Sequence, residues 1–210
     1  MSNITKALQW RYVAKKFDST KKVPEKDVEE LLEVLRLAPS SFGLQPWKFV
    51  LVKDPKLRKS LQEAAWNQPQ VTDASHLIVL CARTDVDEKF VKHFVEVTAK
   101  TRKVRLESLK GYRDMMVGSV SSMTKEQIVD WSKRQVYLAL GMLLEAAALK
   151  GIDACPMEGF ISEKFDEQLN LKREHTTAAV LCALGYRAAD DDFEKAAKVR
   201  FPKEEVIVER

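Results

Sequence analysis

The sequence predicts an α+β fold in one domain spanning residues 1–210, and three observations carry that expectation. Four short apolar runs, Lys48–Val52, His76–Ala82, Ile152–Cys155 and Ala178–Leu184, have the length of sheet strands. Before and between them lie stretches with the apolar spacing of helices, as in Val28, Leu31, Leu32 and Leu35, ahead of the first run. One further stretch, Thr124 to Lys150, is longer than the rest and almost wholly apolar in its second half. A chain of 210 residues with 45% hydrophobic and 31% charged side chains is long and apolar enough to bury a sizeable core.

The elements follow in order. Residues 4–12 are expected to be helical and to end in the basic cluster Arg11 to Asp18. Pro24 suits the first turn of a second helix running to about Leu37. The loop Ala38–Trp47 then carries two prolines, a glycine and two serines, and it joins that helix to a core strand. A loop held at both ends is a good binding edge. After the strand, Asp54-Pro55 reads as an N-cap and first helical residue, opening a helix to Ala65. Residues 86–120 are expected to form one or two helices standing off the sheet as a cap.

Thr124-x-x-Gln127 is a capping box, and Gly151 is the matching C′ residue of the same helix. From Val136 to Leu149 its only charge is Glu145, so it calls for burial on every side, which points to a subunit interface. A helix capped by Ser162 joins the last two strands, and Glu204–Glu209 reads as a short β-branched segment. Trp47, Trp66 and Trp131 are expected to be core anchors, and His76 a structural hydrogen-bonding residue.

Composition excludes several function classes. The net charge of +4 comes from 35 basic and 31 acidic residues spread along the chain, with no basic stripe for nucleic acid. No apolar run approaches the ~20 residues that span a bilayer, and the N-terminus has no signal-peptide pattern, so a cytoplasmic protein without membrane contact is expected. Cys81, Cys155 and Cys182 sit in apolar runs and read as buried thiols, and the three histidines are too dispersed to hold a metal. There is no G-x-G-x-x-G for a dinucleotide-binding domain.

Two cation pairs stand out. Arg11 and Lys15 share one side of a helical turn, and Lys198 and Arg200 share one side of an extended segment. Four converging cations would neutralise a phosphate dianion, although each pair alone reads more readily as a solvated surface pair. Gly159, in Pro156-Met157-Glu158-Gly159-Phe160, allows close approach of the backbone to a ligand.

Pro39-Ser40-Ser41 followed by Gln45-Pro46-Trp47, together with the motifs at Arg11–Lys15 and Lys198-x-Arg200-Phe201-Pro202, resembles the FMN-dependent nitroreductases. The nearest resemblance is to the oxygen-insensitive NAD(P)H nitroreductase and dihydropteridine reductase group. It implies a three-layer fold, a central mixed or antiparallel sheet flanked by helices, and a homodimer that exchanges C-terminal segments. It further implies FMN as cofactor and NAD(P)H as reductant. Hydride would pass through flavin N5 by a ping-pong mechanism to a nitroaromatic, quinone or pteridine-like acceptor.

By this resemblance Arg11, Lys198 and Arg200 hold the phosphate, with Tyr12 and Val13 in the same motif and Lys15 nearer flavin N1 and O2. Asn67 and Gln70 contact the flavin, and Pro156, Met157, Glu158 and Gly159 form the turn whose N–H groups face N5 and O4. Pro39, Ser40 and Ser41 complete the site from the other subunit, while Lys15, Ser41, Phe42, Asn67, Met115 and Met116 line the acceptor pocket. No side chain is expected to be catalytic. Two positions depart from the pattern: Val13 replaces a hydroxyl residue, and Gln70 stands where relatives carry lysine, which implies a lower flavin potential. The rival readings are a flavin-consuming or dehalogenating enzyme of the same fold, and a non-catalytic FMN-binding protein.

Overall fold

The computed structural model describes residues 2–210. Strands β1 (Trp47–Val52), β2 (His76–Arg83), β3 (Asp153–Met157) and β4 (Thr176–Gly185) form a sheet in the order β1-β2-β4-β3, each neighbouring pair antiparallel. The fold is α+β, as expected. Alternation along the central strand β2 sends Leu77, Val79 and Cys81 into one core layer and Ile78, Leu80 and Ala82 into the other. Leu80 pairs with Val180 but Cys81 with Ala178, so a bulge at Ala179 interrupts the β2–β4 ladder.

One face is covered by α3 (Pro55–Ala64) and α8 (Ser162–Gln168), through Leu61, Ala64 and Phe165. The other is covered by α2 (Glu25–Leu37) and α7 (Lys125–Leu149), through Leu31, Leu35, Val136 and Leu143. The remaining helices are α1 (Asn3–Trp10), α4 (Gln70–Asp73), α5 (Glu88–Arg102), α6 (Lys110–Ser121) and α9 (Lys203–Val206). The excursion formed by α5 and α6 has its own core, in which Val91, Val95, Met116 and Val120 pack with Leu44 and Ile128. Among the described residues no helix is long and apolar enough to cross a membrane.

Local chemistry explains most boundaries. Asp54 accepts from the Lys56 N–H with Pro55 following, as expected for an N-cap. The Thr124–Gln127 capping box is made in both directions, and Gly151, at φ 68°, provides the left-handed residue after α7.

Several expectations are corrected. The first helix stops at Trp10 because Arg11 turns extended, at φ −67° and ψ 139°. Ser162 is the first residue of α8, and its hydroxyl donates to the Ala178 carbonyl of β4, so it makes no cap. Residues 203–206 form a helical turn within the β-branched C-terminal segment, with the Val206, Ile207 and Val208 side chains exposed. The outer side of α7 leaves Leu138, Met142 and Leu149 exposed beside the exposed Ile4 and Leu8 of α1, which is no departure from the expectation of burial against a second subunit. Trp47 and Trp131 pack against core clusters, but Trp66 is 66% exposed.

Candidate functional site

The N-terminal segment after α1 runs along the open edge of β3. Val13 forms a parallel bridge with Ala154, Phe17 an antiparallel one with Arg187, and Ala14 between them is fully buried in the core. Arg11 and Lys15 are therefore four apart on non-helical backbone that bends at Lys15 and Lys16, not on a helical turn. Both side chains nevertheless line the same cavity.

Asp191 holds this segment in place. Its Oδ2 accepts from the Tyr12 hydroxyl at 3.0 Å, the Lys15 N–H at 2.8 Å and the Lys16 N–H at 3.1 Å, while Oδ1 accepts from the Phe193 N–H at 3.2 Å. Burial pushes its carboxyl upward, but the hydrogen bonds from Lys16, Lys15, Tyr12 and Phe193 outweigh that and hold it below the usual carboxylate range. A depressed folded-state pKa gives stability that is present above the unfolded value of about 3.9 and lost as pH falls through the folded one. Asp191→Asn is accordingly expected to cost about 1–3 kcal/mol at pH 7, with the gap to the parent closing in acid. Urea unfolding at pH 7 and at the acid end would show it, and a gap that stays constant would count against the assignment.

Arg187 buttresses the same segment from below. Its guanidinium pairs with the buried Asp153, with Nη2 2.6 Å from Oδ1, and with Glu194 at 2.9 Å. It also lies 4.5 Å from the Trp10 ring centroid and 4.4 Å from that of Tyr12. With both neighbours engaged by Arg187, Arg11 faces the cavity between them.

That cavity, of about 360 Å³, is lined by all four predicted cations, Arg11, Lys15, Lys198 and Arg200, together with Tyr12 and Val13. The Arg11 guanidinium is held below its ordinary range by burial and then by Arg200. The Lys198 ammonium is lowered in the same way, by burial and then by Arg11 and Arg200. Glu194 is the carboxylate on the wall, and it is engaged by Arg187. Lys198 also donates to the Arg11 carbonyl, and the Arg200 guanidinium to the Val199 carbonyl at 2.6 Å. Like charges crowded around a hollow favour an anion there, so the donor set fits a phosphate group.

A second cluster lies at the end of β3. Pro156 and Met157 pair with Cys182 and Leu181 of β4, and the chain then turns through Glu158 and Gly159. From Ala154, which bridges to Val13, to Glu158 is roughly 13 Å at the rise of a strand. The two clusters thus share one edge. A Cβ at Gly159 would come within 2.7 Å of the Trp66 ring, so the glycine is what lets that ring lie against the turn. The Gln68 side-chain amide donates to the Gly159 carbonyl at 2.7 Å, and the Tyr137 hydroxyl donates to Glu158 Oε1 at 2.5 Å. Neither the Glu158 nor the Gly159 N–H has an acceptor among the described residues. Trp66 and Asn67 are consecutive left-handed residues, at φ 55° and 57°, and that backbone turns Trp66 out of the core and over Gly159. Asn67 is exposed, whereas Gln70 is buried and its Oε1 has no partner among the described residues.

The remaining predicted residues do not line the cation cavity. The Pro39–Phe42 loop is tied to α7 by the Ser41 N–H, which donates to Gln135 Oε1 at 2.9 Å. Ser40 Oγ accepts from the Gln45 N–H, and Phe42, at φ 55°, accepts from the Tyr112 hydroxyl of α6 at 2.7 Å. Met115 is exposed but Met116 is fully buried in the excursion core, because adjacent residues of a helix face different directions. Met116 is thus a packing residue in this chain. His76 Nδ1 is 3.0 Å from the Ser75 hydroxyl, a structural contact.

Asp191, Arg187, Asp153 and Tyr137 were not singled out from sequence. Asp191 sits in the run Asp190-Asp191-Asp192, which reads as solvated, and nothing local marks its middle member as the buried one.

The family model described as "Nitroreductase family" matches residues 8–186. Among curated relatives, "Putative NAD(P)H nitroreductase SH0546" of Staphylococcus haemolyticus is 34% identical over 97% of this chain and 95% of its own. "Putative NAD(P)H nitroreductase YfkO" of Bacillus subtilis is 36% identical over 90% of each. The solved structure of "putative nitroreductase ydfN" from Bacillus subtilis superposes with a TM-score of 0.87 at 23% identity, over 98% of each chain. A "putative nitroreductase in complex with FMN" from Exiguobacterium sibiricum gives 0.82 at 20% identity, over 100% of this chain and 98% of that one. These two structures share the fold.

Proposed function

The chain belongs to the nitroreductase family, and from that premise we propose that it is an FMN-dependent NAD(P)H oxidoreductase. The observation that carries the reading is the convergence of Arg11, Lys15, Lys198 and Arg200 on one cavity at the edge of β3. When bound, FMN supplies the hydride chemistry, accepting from NAD(P)H and donating to a nitroaromatic, quinone or pteridine-like acceptor.

The protein's own residues do the rest. Arg11, Lys198 and Arg200 bind the phosphate, and Tyr12 and Val13 wall that subsite. Lys15 would supply positive charge to the flavin, stabilising the negative charge of its reduced form. The unpartnered Glu158 and Gly159 N–H groups would be the donors to its N5 side, with Pro156 and Met157 setting the strand end that carries them. Asn67 and Gln70 complete the flavin side, and Ser41, Phe42 and Met115 the acceptor side.

The proposal includes a homodimer. The exposed Leu138, Met142 and Leu149 of α7, the exposed Ile4 and Leu8 of α1, and the apolar tail at Val199, Phe201, Val206, Ile207 and Val208 all support it. In that arrangement Pro39, Ser40 and Ser41 reach the flavin of the partner. Three free, buried cysteines support a reducing, cytoplasmic setting.

The test is an absorption spectrum of the purified protein before and after NADH or NADPH under anaerobic conditions, with light scattering on the same sample. Release of FMN on boiling, bleaching of the bound flavin by the nicotinamide and a mass of two chains are expected. A colourless protein that takes up no added FMN would overturn the cofactor reading, and a mass of one chain would overturn the dimer.

A further inference from the structure

Glu158 is exposed, yet its carboxylate is not free. Tyr137, projecting from the outer side of α7, donates its hydroxyl to Oε1 at 2.5 Å, a short charge-assisted hydrogen bond. The same two-residue turn is gripped from the opposite direction. The Trp66 ring closes over the Cα of Gly159, and the Gln68 amide donates to the Gly159 carbonyl at 2.7 Å and to that of Ala65 at 3.1 Å. Phe160 N–H donates to the Glu158 carbonyl at 3.0 Å. A turn of two residues thus carries anchors from α7 and from the loop after α3, while its own two N–H groups have no acceptor among the described residues.

We propose that Tyr137 is a positioning residue for this turn, holding the Glu158 side chain so that the Glu158 and Gly159 N–H groups stay aimed at the cofactor. The inference rests on the FMN reading above and goes beyond it by giving a role to a residue on a different element. Two consequences follow from the chemistry. Without the tyrosine hydroxyl, Glu158 regains its side-chain freedom and the peptide beside it loses one of its anchors. The freed carboxylate can also turn its negative charge toward the ring, which disfavours the added negative charge of the reduced state.

The experiment is titration of the apoprotein with FMN by quenching of flavin fluorescence, with the two-electron midpoint potential measured on the loaded protein. Tyr137→Phe keeps the ring and its packing. It is expected to weaken FMN binding and to lower the reduced-to-oxidised ratio about threefold to tenfold at fixed potential, or about 15–30 mV for a two-electron couple. Glu158→Gln still offers a carbonyl oxygen to the hydroxyl but loses the charge, so its affinity should fall between those of the parent and of Glu158→Ala. Glu158→Ala should match Tyr137→Phe in affinity, and combining the two should add nothing, since both remove the same hydrogen bond.

Additive losses in the double variant, or a Tyr137→Phe protein with parental affinity and potential, would overturn the positioning role and leave the cofactor reading standing. Failure of the unsubstituted protein to bind FMN would instead remove the cofactor reading, and this proposal with it.

Discussion

Arg11→Ala combined with Arg200→Ala is expected to yield a protein that purifies colourless and binds added FMN about a hundredfold to ten-thousandfold more weakly than its parent. Each guanidinium makes charge-assisted contacts of about 1.5–3 kcal/mol to a phosphate, and every 1.4 kcal/mol is tenfold in affinity. Stability should move differently. Burial and the neighbouring Arg200 already press the Arg11 guanidinium below its ordinary range, so removing both charges relieves repulsion in the apoprotein. Its melting temperature is therefore expected to hold or rise while cofactor affinity collapses. Lys198→Ala should cost less affinity but disturb the fold more, because that ammonium also bonds the Arg11 carbonyl. Rising ionic strength should weaken FMN binding to the parent more than to the double variant. Unchanged FMN affinity in that variant would mean that the cations are a solvated cluster with no phosphate role.

The largest loss of stability is expected at Arg187→Ala, about 3–5 kcal/mol in urea unfolding. The substitution strands Asp153, which is 3% exposed, without the guanidinium that faces both of its oxygens. It also removes the cation stacked on Trp10 and Tyr12, freeing the backbone on either side of Arg11. Arg187→Lys should recover little, since an ammonium cannot reproduce the forked contact to Asp153 together with the approach to both rings. Replacing the pair together, as Arg187→Met with Asp153→Asn, should restore much of the stability, because no uncompensated charge is then buried. A loss below about 1 kcal/mol for Arg187→Ala would show that the pair behaves as a surface ion pair.

Much of the fold was legible because its signals are local. Asp54-Pro55, Thr124-x-x-Gln127 and Gly151 act within one helical turn, so their caps appear where the sequence puts them. The four strands are read from short apolar runs, and the excursion from the polar, Met-containing stretch between residues 86 and 120. The cations were legible as motifs, and only those motifs raised them above other charged pairs in a chain with 35 basic residues.

What the sequence by itself determined, then, was the alternation of elements, their caps, and the residue types that a phosphate and a flavin would need. The tertiary structure decided which of those residues meet. Arg11 is extended because β3 offers an open edge to Val13, a contact 141 residues away that no helical period reveals. Asp191 turns inward, unlike Asp190 and Asp192, because four donors converge on it, three of them from residues 12 to 16. Trp66 leaves the core because the left-handed backbone at 66 and 67 carries it over Gly159. Propensity, capping and periodicity act over a few residues of chain and are written in it directly. Burial, charge pairing and edge contacts depend on groups brought together from distant positions, and these decide whether a side chain packs, anchors or binds.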